Sequence, residues 1–320
     1  MNTSNIYKYA YVPIQGLPEY IDFEFSINWV AIYALITFIY SIPCTLGLIK
    51  LIIFHLKHKK LGGIFNAFVQ MQLLITLLGL ADFLAVRIPS SGVFTQFCAD
   101  KDPQWYLKFF TFFYYATSCS SQVLTVMFCV MRVVYLYFPA YVQEKFESSF
   151  NVCSLITILI SILISIPHLL TTGLCLQLYR PFPFGALVIL SMFHYGNLIS
   201  FNFTYFLFTS IVMLAILISS YLMFRKLGER RKLSVIAKAS YNMKAEKTLS
   251  VTILILIPLV FNQVITIGEI LNHPLLSYLV LIRPVIEDWR IHIVTLYFFY
   301  THPALKKTKT SAVSTITGNL

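Results

Sequence analysis

From residue 29 to residue 303 the chain is a succession of apolar runs of about 20 residues, the length at which an α-helix crosses a bilayer. A soluble fold would have to bury all of them. With 58% hydrophobic and 12% charged residues and a mean hydropathy of +0.76, too little polar sequence remains to cover such a core. The composition therefore points to an all-α integral membrane protein, a seven-transmembrane helix bundle.

The spans are read at 29–54, 64–86, 105–138, 150–172, 196–224, 248–270 and 284–303, between a polar and aromatic arm at 1–28 and a short basic tail at 304–320. Pro43, Pro167 and Pro258 are points where a span can bend. Residues 275–282 are apolar but too short to cross, so the last span is started at Pro284, a favoured first helical position. Glu287, Asp288 and Arg290 then fall inside it. The segments 87–104, 139–149 and 173–195 read as connections, the last turn-rich around Arg180-Pro181-Phe182-Pro183-Phe184-Gly185. The arm has no apolar core of its own and neither terminus fits a lipidation pattern, so the first span is expected to act as the targeting signal.

The net charge of +11 could suggest a nucleic-acid partner, but the basic residues sit between the spans, where membrane topology explains them. One set of alternating connections holds 16 Lys and Arg and the other holds 5, namely Lys8, Arg87, Lys101, Arg180 and Arg283. Basic connections stay in the cytoplasm, which places the N-terminus outside and the C-terminus inside. The glycosylation sequon at Asn2 then lies on the side where glycans are added.

Thr111, Tyr115, Ser118, Gln122, Thr125, Cys129 and Arg132 recur at spacings of 4 and 3 and line one face of the third span. A span with such a seam belongs at the centre of a bundle, where other helices shield it from lipid. Arg132, a full charge at the end of that span, is either a snorkelling anchor or a switch. In the seventh span Asp288, His292, Thr295, Phe299 and His302 share a face. With Asp82 they suggest a ligand pocket or an ion pair; the alternative is that Glu287 and Asp288 only complement a helix N-terminus. Tyr115, Ser118 and Gln122 complete the candidate pocket. Of six cysteines, Cys98 and Cys175 alone fall outside the spans, both on the oxidising side, where a disulfide is expected. The third inner connection carries 8 basic and 2 acidic residues, Arg225, Arg230 and Arg231 among them. It either docks an acidic cytoplasmic partner or simply lies against anionic lipid. No catalytic or metal-binding motif is present, and no cofactor is expected.

Three stretches narrow the assignment. Arg87-Ile-Pro-Ser-Ser-Gly through Cys98-Ala-Asp after Ala81-Asp82-Phe83, then Cys175-Leu-Gln-Leu-Tyr-Arg-Pro-Phe-Pro-Phe-Gly185, and last Ile282-Arg283-Pro284 with Asp288 and Tyr300-Thr301-His302-Pro303 resemble the nematode serpentine chemoreceptors of class U. The resemblance covers roughly residues 18–307 and extends to the gamma-class superfamily that contains class U. It implies a G-protein-coupled receptor of ciliated sensory neurons, lodged in the plasma membrane, that binds an environmental small molecule and activates a heterotrimeric G protein. On that reading Arg132, Arg225, Arg230 and Arg231 would face the G protein. Met131 stands where rhodopsin-like receptors carry an acid, so an ion pair of that form at Arg132 is missing. A seven-span transporter or ligand-gated channel is the alternative; no internal repeat supports a transporter, and an insect-type channel would need the N-terminus inside.

Overall fold

The computed structural model describes residues 13–57, 63–100, 105–191, 198–233, 254–265, 267 and 276–301. It is mostly helical. Five helices are long and apolar enough to cross a membrane: α1 (Trp29–Lys57), α2 (Gly63–Ser90), α3 (Leu107–Tyr137), α4 (Ala140–Leu169) and, within α5 (Leu198–Leu233), residues Tyr205–Glu229. A shorter apolar helix, α6 (Leu254–Ile265), and a helix over 276–301, α7, lie where the sixth and seventh spans are expected.

α3 is the central helix, packed against α2, α4 and α5. Its whole polar seam, from Thr111 to Arg132, is buried, which spares those groups contact with hydrocarbon. Around it Leu51, Phe68, Met71, Ile75, Leu124, Phe128, Met131, Phe150, Ile255 and Val294 form one apolar core drawn from six helices. α1 and α4 instead turn Leu35, Ile36, Ile39, Leu155, Leu159 and Leu163 outward, the surface that a lipid bilayer covers. α3 stops because Phe138 precedes a proline and takes extended backbone, with φ −109° and ψ 153°. The chain re-enters helix at Ala140, so the short connection expected over 139–149 is almost all helical.

Two further boundaries need correction. α2 does not end at Arg87; it continues through a wide π-turn, Phe83–Arg87, to Ser90. α7 does not begin at Pro284; it starts at Leu276, carries Pro284 in its interior, and has its own π-turn at Trp289–Ile293. In both cases a charge read as lying in a connection, Arg87 or Arg283, is neutralised inside the bundle.

The expectation of an all-α chain also needs amendment. The turn-rich segment after α4 contains an antiparallel hairpin of β1 (Gly173–Gln177) and β2 (Leu187–Ser191), with Cys175 opposite Ile189. The alternation of Leu, Val and Ile in β2 suits a strand packed on the bundle end. The fully buried Gln177 side chain organises the connecting loop, donating to the carbonyls of Leu178 (2.8 Å) and Pro183 (3.1 Å) and accepting from Gly185 N (2.9 Å). Cys175 is joined to Cys98, with 5.9 Å between Cα atoms. Ile14, Tyr20, Ala99, Leu107 and Leu187 pack around that link, so the N-terminal segment, the segment that follows α2 and the hairpin form one cap over α3.

Candidate functional site

The π-turn in α2 does chemical work. At about 100° per residue an α-helix puts positions five apart on different faces, whereas the wider turn returns Arg87 to the face of Asp82. Arg87 Nε donates to Asp82 Oδ2 at 3.1 Å. Its Nη1 and Nη2 donate to the two oxygens of Asp288 on α7 at 2.8 and 2.7 Å, the forked geometry of a strong guanidinium–carboxylate pair. Nη2 also reaches the Pro284 carbonyl at 3.1 Å. Arg283, a turn before Asp288, donates to the other Asp82 oxygen at 2.8 Å and lies 5.4 Å from the Tyr114 ring centroid. Tyr40 of α1 donates its hydroxyl to Asp288 as well. Two acids and two arginines thus cancel inside the bundle and join α1, α2 and α7. His292 borders the group, with Nε2 3.9 Å from Asp288 and its ring edge-on to Tyr40 at 5.3 Å.

A second polar group lies on the other face of α7. Arg283, Glu287 and Arg290 recur at spacings of 4 and 3, as one helical face requires. Arg290 is the largest fully buried side chain among the described residues; it donates to Thr125 Oγ1 and lies 3.5 Å from the Ser121 carbonyl, both on α3. Glu287 accepts from Asn262 Nδ2 of α6 at 2.8 Å. Gln263, also on α6, donates to Thr209 of α5 at 2.6 Å. On α3, Ser118 and Gln122 both meet the hydroxyl of Tyr205 from α5, at 2.9 and 3.0 Å. Tyr205 is an electrostatic neighbour of both Arg283 and Arg290, and Arg290 of Glu287, which makes these residues one cluster shared by α3, α5, α6 and α7.

The residues proposed for a pocket from sequence therefore divide into three places. Asp82, Asp288 and His292 belong to the charge group between α1, α2 and α7. Ser118 and Gln122 belong to the second cluster. Tyr115 stacks on His168 of α4, with centroids 4.1 Å apart and planes within 4°, and also meets Tyr205 of the second cluster edge-on at 6.1 Å. Arg132 is buried near the opposite end of α3 from the hairpin, its guanidinium 5.6 Å from the Phe128 centroid. Arg225 is exposed and pairs with Glu229 at 3.4 Å. Arg230 and Arg231 are on α5, but their side chains, like Asn2, lie outside the described residues. Sequence reasoning missed Arg87, Arg283, Glu287 and Arg290 as site residues, having read the first two as loop charges. The face spacing of the last three was the available signal. Among the described residues no group of three or more His, Cys, Asp or Glu is placed to hold a metal ion.

Helices long and apolar enough to cross a membrane, a disulfide-linked cap and charges paired inside the bundle describe a multi-pass helical membrane protein. Residues 14–308 match the family described as serpentine type 7TM GPCR chemoreceptor Sru, and the chain belongs to that family. It is also 27% identical over 255 residues to serpentine receptor class U-26 of Caenorhabditis elegans, an alignment covering 76% of this chain and 86% of the relative.

Proposed function

We propose that this chemoreceptor-family protein spans the plasma membrane of a sensory cell seven times, binds an environmental small molecule and activates a heterotrimeric G protein. The observation that carries the reading is the family match across nearly the whole chain. Orientation follows from charge. With Arg87 and Arg283 inside the bundle, Lys8, Lys101 and Arg180 are the basic residues left on the sparse side, which widens the asymmetry that puts the N-terminus and the hairpin outside. The ligand binds in the α3–α5–α6–α7 cluster, because Asp82 and Asp288 already have arginine partners. Ligand binding shifts the population toward an arrangement in which the ends of α3 and α5 near Arg132 and Arg225 open to the G protein. In the described arrangement those ends are held together by Tyr137, whose hydroxyl donates to Leu222 O at 2.7 Å.

The test is guanine-nucleotide exchange by a panel of heterotrimeric G proteins in membranes holding the full chain, wild type beside Arg132→Ala at equal surface amounts. Exchange above mock membranes that is lost in the variant supports the reading. Exchange that the variant leaves unchanged removes Arg132 from coupling, and exchange no higher than mock across the panel and a set of chemical extracts contradicts the G-protein assignment.

A further inference from the structure

The second cluster is not satisfied internally. Glu287 Oε2, Gln122 Oε1 and Gln263 Oε1 are buried acceptors, and Arg290 Nε is a buried donor, and none has a hydrogen-bond partner among the described residues. All four side chains are more than nine-tenths buried. Leaving a buried polar group unmatched is costly, most of all a charged one. The amide orientation at Gln263 is fixed by chemistry: Thr209 spends its hydroxyl proton on the Tyr205 and Phe206 carbonyls, at 2.9 and 3.1 Å, so it can only accept from Gln263 Nε2. The free atom of Gln263 is therefore its carbonyl oxygen. In the same way Thr125 donates to the Ser121 carbonyl at 2.6 Å and accepts from Arg290.

From this inventory we propose that the α3–α5–α6–α7 cluster binds a small zwitterion of the α-amino-acid type. Its ammonium group supplies donors to Glu287 Oε2 and Gln263 Oε1, and its carboxylate accepts from Arg290 Nε. Charge argues for the same class. Glu287 and Arg290 balance each other, so a bare cation or anion would add uncompensated charge to a low-dielectric interior, whereas a zwitterion adds none. Glu287 Oε2 and Gln263 Oε1, both fixed as acceptors, suit an ammonium better than a second carboxylate. A purely apolar ligand would leave all four atoms unmatched.

The proposal rests on the receptor reading for its purpose only, and its test is independent of signalling. The full-length chain in lipid nanodiscs is heated with each protein L-amino acid, with the corresponding decarboxylated amine, and with the corresponding N-acetyl acid. The expected result is a raised unfolding midpoint with one or more amino acids and with neither charge-broken analogue. Glu287→Gln, which keeps the shape, and Gln263→Leu should each weaken that effect by about tenfold or more in ligand concentration. Gln70→Leu removes a glutamine of α2 that donates to Asn151 of α4, away from the cluster, and should leave it unchanged. The proposal is overturned if no amino acid shifts the midpoint, if the amine or the N-acetyl acid acts as well as the parent, or if Glu287→Gln binds like wild type. Binding without nucleotide exchange would keep this site and contradict the G-protein assignment instead.

Discussion

Arg87 and Asp288 stand 201 residues apart in the chain and meet through two hydrogen bonds of 2.8 and 2.7 Å. Removing one partner of a buried ion pair strands the other charge, at a cost of about 3–5 kcal/mol. Arg87→Met is therefore expected to lower the thermal midpoint of the detergent-solubilised protein sharply. Asp288→Asn in the same chain should recover part of the loss. A double variant whose destabilisation equals the sum of the two single ones would contradict the pairing.

Tyr40 is the contact through which α1 joins the same charge group, by donating to Asp288. Tyr40→Phe removes one hydrogen bond to a charged acceptor, worth about 1.5–3 kcal/mol. The thermal midpoint should fall less than in Arg87→Met. A Tyr40→Phe protein as unstable as Arg87→Met would assign Tyr40 a larger role than one hydrogen bond.

The hairpin meets α3 closely at Gly173. A Cβ there would lie 2.5 Å from Leu107 Cβ and 2.7 Å from backbone atoms of Leu107 and Lys108, which cannot rotate away. Gly173→Ala should destabilise the cap and expose the 173–191 segment to limited proteolysis. Cleavage at the wild-type rate would show that the strand does not sit against α3 in this way.

Cys98 and Cys175 close a loop of 77 residues. Chain-entropy arguments put the stabilisation from such a loop on the order of 4 kcal/mol. Cys175→Ser should lower yield and thermal midpoint, and non-reducing peptide mapping of the wild type should recover the two cysteines in one linked peptide pair. Recovery of both as free thiols would contradict the link.

The wide turn in α7 depends on side chains that serve its backbone. The Ile291 carbonyl accepts from Gln72 Nε2 and from Thr295 Oγ1, each at 2.7 Å. Gln72→Leu should cost about 1–2 kcal/mol, with Thr295 still in place. Adding Thr295→Val should cost more than either change alone. A neutral double variant would mean the carbonyl finds its partners elsewhere.

The central helix was legible because its signal is local. Seven residues from Thr111 to Arg132 at spacings of 4 and 3 need no knowledge of partners to be placed on one face, and all seven are buried. Arg87 and Arg283 were not legible for the opposite reason. Each looks like a charge in the connection at the end of a span until its acid is located, and those acids lie on another helix or across a π-turn. Asp82 and Arg87, five apart, are out of register for an ordinary helix, so a periodicity argument separates what the wide turn unites. The hairpin was hidden by its own connection: prolines and turns over 180–185 dominate the segment and obscure two strands of five residues.

The proposed receptor has its hairpin end outside and its Arg132 end in the cytoplasm. The most direct measurement is the accessibility of epitope tags at both termini in intact and permeabilised cells, with occupancy of the Asn2 sequon read in the same preparation. The expected result is an N-terminal tag stained in intact cells, a glycan on Asn2, and a C-terminal tag stained only after permeabilisation. Both termini on one side, or a cytoplasmic N-terminus without glycan, would contradict it.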